Sequence, residues 1–276
     1  MPQEVIRIFS DLHYGDRSTR IARPADLAPL ADGAKAWIIN GDSLDTRQGP
    51  HPDYNAQILG ELTGFLRGLQ IPVTQLTGNH DPDISAVHQL DLAGGEVFLT
   101  HGDILYPSVI PWSIDAERIG AMIAAELSTR CNRPLTLSER LDVYRTVGRK
   151  VSQRHHSERN ALIYLLFLTK DLLSPPWRSL RMLEAWRTYP RLVWNLAEQH
   201  RLSAKYILTG HSHWSGIWRR PGGPTIINTG AFCRPFRPRV VDLHSDRLVV
   251  RLVEMRGREF YPGPVVAELR LDGARR

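Results

Sequence analysis

Four times in the first hundred or so residues, a short apolar or β-branched run ends in a cluster of Asp, His or Asn. This recurrence constrains the fold more than any other feature of the chain. Val5-Ile6-Arg7-Ile8-Phe9 runs into Ser10-Asp11-Leu12-His13, and Ala36-Trp37-Ile38-Ile39 into Asn40-Gly41-Asp42. Pro72-Val73-Thr74-Gln75-Leu76 leads to Gly78-Asn79-His80-Asp81, and Glu96-Val97-Phe98-Leu99-Thr100 to His101-Gly102-Asp103. Each reads as a strand that delivers polar side chains at its C-terminal end. Helix-like stretches at 25–34 and 54–69 lie between them, the second apolar at Ile58, Leu59, Leu62, Phe65, Leu66 and Leu69. Alternating strand and helix predicts an α/β sheet whose ligand sites lie beyond the carboxyl ends of the strands.

From about residue 110 to 200 the pattern turns helical. Stretches 113–128, 136–154, 158–173 and 177–200 show apolar residues at three- and four-residue spacing, with Ser174-Pro175-Pro176 separating the last two. Strand character returns at 205–208, running into Thr209-Gly210-His211-Ser212-His213, and continues at 225–228, 240–243 and 248–253. We therefore expect residues 1–276 to form a single domain, interrupted at about 104–200 by a mostly helical insertion that serves as a lid or cap.

A chain of 276 residues that is 42% hydrophobic and 23% charged can bury a sizeable core, which excludes disorder. The longest apolar run, 161–168, is far short of the roughly 20 residues that span a bilayer. Two cysteines, Cys131 and Cys233, give no disulfide framework, and the N-terminal stretch lacks a basic region followed by a long apolar one. The expectation is a cytoplasmic protein. Net charge is +6 but unevenly spread: residues 1–131 carry 9 basic and 17 acidic side chains, 132–200 carry 12 and 6, and 201–276 carry 14 and 6. A basic second half suits an anionic partner such as a phosphorylated molecule, a lipid head group or nucleic acid.

Taken singly, each polar cluster is weak evidence, since Asp-x-His and Gly-Asp are common by chance. The set is different, because five clusters at predicted strand ends supply Asp11 with His13, Asp42, Asn79 with His80, His101, and His211 with His213. They hold five of the chain's 11 histidines. Mixed carboxylate, imidazole and amide donors suit borderline or hard divalent metals such as Mn, Fe and Zn. In extended geometry Asp11 and His13 point to one side and can share a metal, as can His211 and His213. Two metals about 3.5–4 Å apart need a bridging carboxylate, and Asp42 is the natural one.

The ordered series Asp11-x-His13, Gly41-Asp42-x-x-Asp45, Gly78-Asn79-His80-Asp81, His101-Gly102-Asp103 and Gly210-His211-x-His213 resembles the calcineurin-like metallophosphoesterases. The likeness covers roughly residues 5–103 and 204–244. It implies a four-layer α/β sandwich, two mixed β-sheets flanked by helices. It also implies one metal held by Asp11, His13, Asp42 and His213 and a second by Asp42, Asn79, His101 and His211, with Mn favoured. The resemblance further implies a dinuclear-metal hydrolase of phosphoester or pyrophosphate bonds, in which a metal-bridged hydroxide attacks phosphorus. His80 resembles the family's catalytic histidine, acting on the leaving oxygen, and Asp81 is expected to orient it through the other ring nitrogen. Asp45 is expected either to cap a turn or to support Asp42.

The helical insertion combines an Arg excess with Trp112, Trp177, Trp186 and Trp194 and with an apolar run at 161–168. A helix apolar on nearly every face is buried, paired or lining a groove. Its placement is similar to that in the bacterial UDP-2,3-diacylglucosamine diphosphatases, which also carry His-Gly-Asp before a helical lid. They share as well a small-residue segment like Thr229-Gly230-Ala231. That family typically has Arg where this chain has His80. The expected substrate is a lipid- or nucleotide-linked phosphodiester or pyrophosphate, with peripheral contact at the inner membrane surface through the insertion. The alternatives are a nuclease or phosphodiesterase acting on nucleic acid through the basic 219–239 region, and a non-catalytic scaffold of the same fold. The protein Ser/Thr phosphatase pattern Gly-Asp-x-x-Asp-Arg-Gly is not met, because Arg47 is displaced by one position.

Overall fold

The computed structural model describes residues 5–130, 133–153, 160, 162–163, 165–166, 169–170, 177–200 and 202–272. Eleven strands among these form two mixed sheets. The first has the order β11-β10-β9-β1-β2-β3, with β1 (Val5–Phe9), β2 (Ala34–Asn40), β3 (Val73–Leu76), β9 (Arg239–Leu243), β10 (Arg247–Arg256) and β11 (Glu259–Arg270). The second has the order β4-β5-β6-β8-β7, with β4 (Gln89–Leu92), β5 (Val97–Thr100), β6 (Tyr206–Thr209), β7 (Gly216–Trp218) and β8 (Thr225–Asn228). β1, β2 and β3 run parallel, as do β5, β6 and β8, and the outer strands join antiparallel.

Successive side chains of a strand face opposite sides, and here each side meets a different apolar layer. Ile8, Ile38, Leu76, Val97, Leu99, Leu208 and Ile227 pack between the sheets. Their neighbours Phe9, Trp37 and Ile39 face outward and bury against Leu27, Leu30 and the α1 (Pro52–Gly68) residues Ile58, Leu62 and Leu66. On the other sheet Phe98, Ile207 and Ile226 face outward and pack with α2 (Ala116–Arg130), α3 (Leu137–Arg149) and α4 (Trp177–Gln199). The result is the four-layer α/β sandwich, with double-sided burial explaining why the parallel strands read as continuous apolar runs.

The stretch expected as a lid therefore supplies, in its described helices, the fourth layer of the sandwich. Buried Ile119, Ile123, Leu141, Tyr144, Tyr189 and Val193 fasten it to the second sheet. The expected helix at 158–173 falls largely outside the described residues, as do Cys131, His155 and His156; its described side chains Leu162, Ile163, Leu165 and Leu166 are exposed. The expected helix at 25–34 is a 3₁₀ helix, Pro24–Ala31, because Pro29 inside it has no N–H to donate. Among the described residues no helix is long and apolar enough to cross a membrane.

Candidate metal centre

The parallel strands of both sheets deliver their polar clusters to a common edge. Asp11 follows β1, Asp42 follows β2, Asn79 and His80 follow β3, His101 follows β5, and His211 and His213 follow β6. Asp11, Asp42 and His101 are almost wholly inaccessible to solvent, and His13, Asn79, His80 and His211 are buried as well. Asp11 and His13 converge, but not through extended backbone as the spacing suggested. Their φ angles are 54° and 46°, those of His211 and His213 are 66° and 59°, and that of Asp42 is 53°. Left-handed backbone costs on the order of 1–3 kcal/mol for a residue with a side chain, and such residues concentrate at functional sites. Close approach explains two of the motif glycines. A Cβ on Gly41 would stand 2.5 Å from His101 Nδ1, and one on Gly78 would collide with the Asp42 carboxylate.

Backbone bonds tie the first-sheet turns together: Asp11 N–H donates to the Gly41 carbonyl at 3.1 Å and His13 N–H to the Asp42 carbonyl at 3.0 Å. The second-sheet turns reach across, with His211 N–H donating to both Asp11 carboxylate oxygens at 3.1 and 3.2 Å. His101 Nδ1 donates to the Asn40 carbonyl at 2.9 Å and His211 Nε2 to the Val109 carbonyl at 2.9 Å. These bonds place the lone pair on His101 Nε2 and on His211 Nδ1, the arrangement a metal-binding imidazole takes when its other nitrogen is anchored. His101 Nε2 stands 3.1 Å from Asp42 Oδ2, close enough for the two to share a proton or a cation. His13 Nε2 and His213 Nε2 face each other at 3.0 Å, and His213 Nε2 is 3.4 Å from Asp11 Oδ1.

Asp81 does not take the place expected of it. Its two oxygens accept from three backbone N–H groups, those of Gly78 (2.6 Å), Asp42 (3.0 Å) and Ser43 (2.6 Å). The carboxylate is thus spent on pinning the β2 and β3 turns to each other. The partner of His80 Nδ1 is Asp45, 3.0 Å away, with Arg47 Nη2 at 2.9 Å and itself bonded to Asp45 at 2.6 Å. Asp45 therefore supports His80 rather than Asp42. Arg47 was not singled out from the sequence, although Asp45-x-Arg47 sits beside the motif that named Asp45.

The helical layer contributes residues that no local pattern announces. Trp186 Nε1 on α4 donates to the Ser212 carbonyl at 2.9 Å, between the two histidines. Tyr189 OH donates to Thr209 Oγ1 at 2.5 Å and receives Asn228 Nδ2 at 2.9 Å, while Asn228 also donates to the Gly210 carbonyl at 2.6 Å. Arg145 on α3 forms a buried two-pronged pair with Asp103 at 2.8 and 2.7 Å, anchoring the turn after His101.

The charges of the centre are mutually dependent. Burial works against the Asp11 and Asp42 carboxylates, but the facing imidazoles, His13 and His213 for Asp11 and His101 for Asp42, hold both below the usual range. Burial likewise works against a charged His13 or His101, yet Asp11 and Asp42 push His13 up to about 9 and His101 up to about 10. His80 is lowered to about 4 by burial and then by the Arg47 charge. His211 falls to about 4 by burial and the His101 charge, and Asp81 rises to about 6 by burial and the Asp42 charge.

Among the described residues, three groups of donors have ligand atoms close enough to hold a cation: Asp11, His13 and His213; His13, Asp42 and His80; and Asp42, His101 and His211. Asn79 Oδ1 is buried and has no hydrogen-bond partner. The unpartnered acceptor Asn79 Oδ1, and His101 Nε2 facing the Asp42 carboxylate at 3.1 Å, are what a divalent cation would satisfy. The residues fit such a group. An open cleft lined by His13, Asp45, Tyr54, His80 and Gln153, among others, gives access to the cluster. Cys233 is buried and belongs to none of these groups.

Fold and site together define a two-sheet α/β sandwich whose strand ends gather donors for divalent metal. No family model matches the chain, and no curated protein does. Among solved structures it is similar to a dimetal phosphatase from Danio rerio, at 16% identity over 98% of this chain and 99% of that one, with a TM-score of 0.47. It is similar also to a conserved uncharacterized protein, a predicted phosphoesterase, from Streptococcus pneumoniae TIGR4 (17% identity, 98% and 99% covered, TM-score 0.41). A third is vacuolar protein sorting 29 from Cryptosporidium parvum (14% identity, 98% of each chain, TM-score 0.43).

Proposed function

We propose that the chain is a divalent-metal-dependent hydrolase of phosphoester or pyrophosphate bonds. In this reading Asp11, His13, Asp42 and His213 hold one cation, and Asp42, Asn79, His101 and His211 hold a second. The observation that carries it is the convergence of Asp11, His13, His213, Asp42, His101 and His211 into largely buried donor groups that share Asp42 and His13, beside the unpartnered acceptor Asn79 Oδ1. Asp42 belongs to two of the three donor groups, which suits a residue serving both cations. When bound, a pair of divalent cations supplies Lewis acidity toward phosphoryl oxygens and a nucleophile near neutral pH. Mn, Fe and Zn match the donor set.

The chain's own residues do the rest. With Nδ1 accepting from Arg47 Nη2, the neutral His80 ring carries its proton on Nε2, which can donate a hydrogen bond to the leaving oxygen as charge develops there. Asp45 and Arg47 orient that ring, and Asp81 keeps the two turns bearing Asp42 and Asn79 in register. The substrate is a lipid- or nucleotide-linked phosphodiester or pyrophosphate. Exposed Leu162, Leu166, Trp177, Leu180 and Leu183 support a peripheral lipid contact along the helical layer.

Turnover of bis-p-nitrophenyl phosphate, p-nitrophenyl phosphate and a UDP-linked acylated sugar by Mn(II)-loaded protein tests the reading. Release from at least one of these, lost on EDTA treatment and in Asp42→Asn, is expected. Turnover that survives either treatment contradicts it.

A further inference from the structure

Beside the candidate centre, an aromatic surface leads outward from His213. Phe236 meets the His213 ring edge to face at 5.4 Å between centroids and 77°, and Trp186 meets Phe236 at 6.0 Å and 84°. Trp214, the residue after His213, lies tilted against Trp186 at 4.9 Å and 43°. The Trp186 indole is fixed by its bond to the Ser212 carbonyl, so the surface is held to the same turn that carries the two histidines. Trp214 is nonetheless 50% exposed. A tryptophan this open, one residue from a buried donor cluster, leaves apolar ring surface facing solvent that packing has not used. Exposed Arg234 and Arg237 flank Phe236 in the chain and add positive charge to the same loop.

We infer that Trp214, backed by Trp186 and Phe236, is a stacking subsite for the base of a nucleotide whose phosphate reaches the candidate centre. The inference rests on the hydrolase reading and narrows its substrate class. A planar π-system matches an open indole face, stacking tolerates any base, and the arginines complement the phosphate charge. An acyl chain would gain from the apolar ring but offers no flat π-system to stack on it. The metal-binding cluster takes the phosphate, and the aromatic rings fix which side of it the nucleoside occupies.

Calorimetry with Mn(II)-loaded protein tests this with two ligands whose P–C–P bridge resists cleavage, α,β-methylene-ADP and methylenediphosphonate, which share a head group and differ in the nucleoside, the recovered ADP analogue being checked for an intact ribose ester. The readout is the ratio of their affinities within each variant, so a general loss of folding does not mimic the effect. Wild type should favour the nucleotide by about tenfold or more. Trp214→Ala should bring the ratio close to one, and Trp214→Phe, which keeps a ring, should restore most of it. A wild-type ratio near one with both ligands bound overturns the stacking subsite and leaves the hydrolase reading standing. So does a ratio that Trp214→Ala does not change, including the case where that variant instead loses binding to phosphatidylglycerol vesicles. Failure of wild type to take up Mn(II) in the preceding titration overturns the hydrolase reading and this inference with it.

Discussion

Asp11, His13, Asp42 and Asn79 follow strands of the first sheet, whereas His101, His211 and His213 follow strands of the second, and the two sets are fastened differently. The first is tied chiefly through its own turns, which bond to each other through backbone groups while Asp81 collects three of their N–H donors; His211 N–H reaches in to Asp11, and Gln153 after α3 adds a bond to the Asp45 carbonyl at 2.9 Å. The second is held from outside, by Trp186 and Tyr189 on α4 and by Arg145 on α3. The contrast teaches that the helical layer, besides covering the sheet, is part of the machinery that positions imidazoles. It also gives the uneven charge a structural meaning, since both buried carboxylates of the candidate metal centre come from the acidic first half, and two of its imidazoles, His211 and His213, come from the basic second half.

The largest effect should come from a residue of the first set. His80→Gln is expected to lower the rate on a substrate with a poor leaving group by about 10²–10⁴-fold while the protein keeps its metal, as measured by turnover and metal analysis of the same sample. Normal turnover would remove His80 from the reaction. In the second set, Arg145→Met leaves Asp103 buried without its partner and should cost about 3–5 kcal/mol in urea unfolding. A loss below about 1 kcal/mol would mean that the helical layer does not anchor the turn after His101.

A subtler change, Tyr189→Phe, removes one hydroxyl from the Thr209–Asn228 network and should weaken Mn(II) binding ten- to hundredfold by calorimetry. An unchanged affinity would make α4 a cover and nothing more. The smallest effect concerns pH. With metal removed, His13 and His101 carry folded-state values raised from 6.5 to about 9 and about 10. Their contribution to stability is therefore complete below about 6.5 and fades as pH rises through 9 and 10. The melting temperature of EDTA-treated protein should fall across that window, and Mn(II), by replacing the protons, should flatten the fall. A melting temperature that climbs from pH 7 to 10 would contradict the pairing of these imidazoles with Asp11 and Asp42.

Much of the sandwich was legible because its parallel strands are buried on both faces and end abruptly in polar turns. What escaped has physical reasons. β11 holds Pro262 and Pro264 around Gly263, a sequence that fits only an edge strand, and its pairing with β10 slips near Val250 and Arg251. β7 is three residues long, and β4 mixes Asp91 into an apolar run. At the site, six of the seven expected donors, Asp11, His13, Asp42, His101, His211 and His213, have ligand atoms that converge, because strand ends bring them to one edge whatever the loops do. Their left-handed backbone was not foreseeable from i, i+2 spacing. The supporting residues were hidden for another reason: Arg145 pairs with Asp103 and Trp186 with Ser212 across 42 and 26 residues. Asp81 was misjudged because adjacency to His80 suggested contact, whereas its side chain turns back to the backbone of its own and the preceding turn.

The central claim is that Asp42 joins two cation sites built from both sheets. Metal content settles it most directly, with protein stripped by EDTA, reloaded with Mn(II), dialysed and measured by mass spectrometry. Two Mn(II) per wild-type chain and one or fewer in Asp42→Asn are expected. A wild-type chain that retains none, or an Asp42→Asn chain that still retains two, would contradict it.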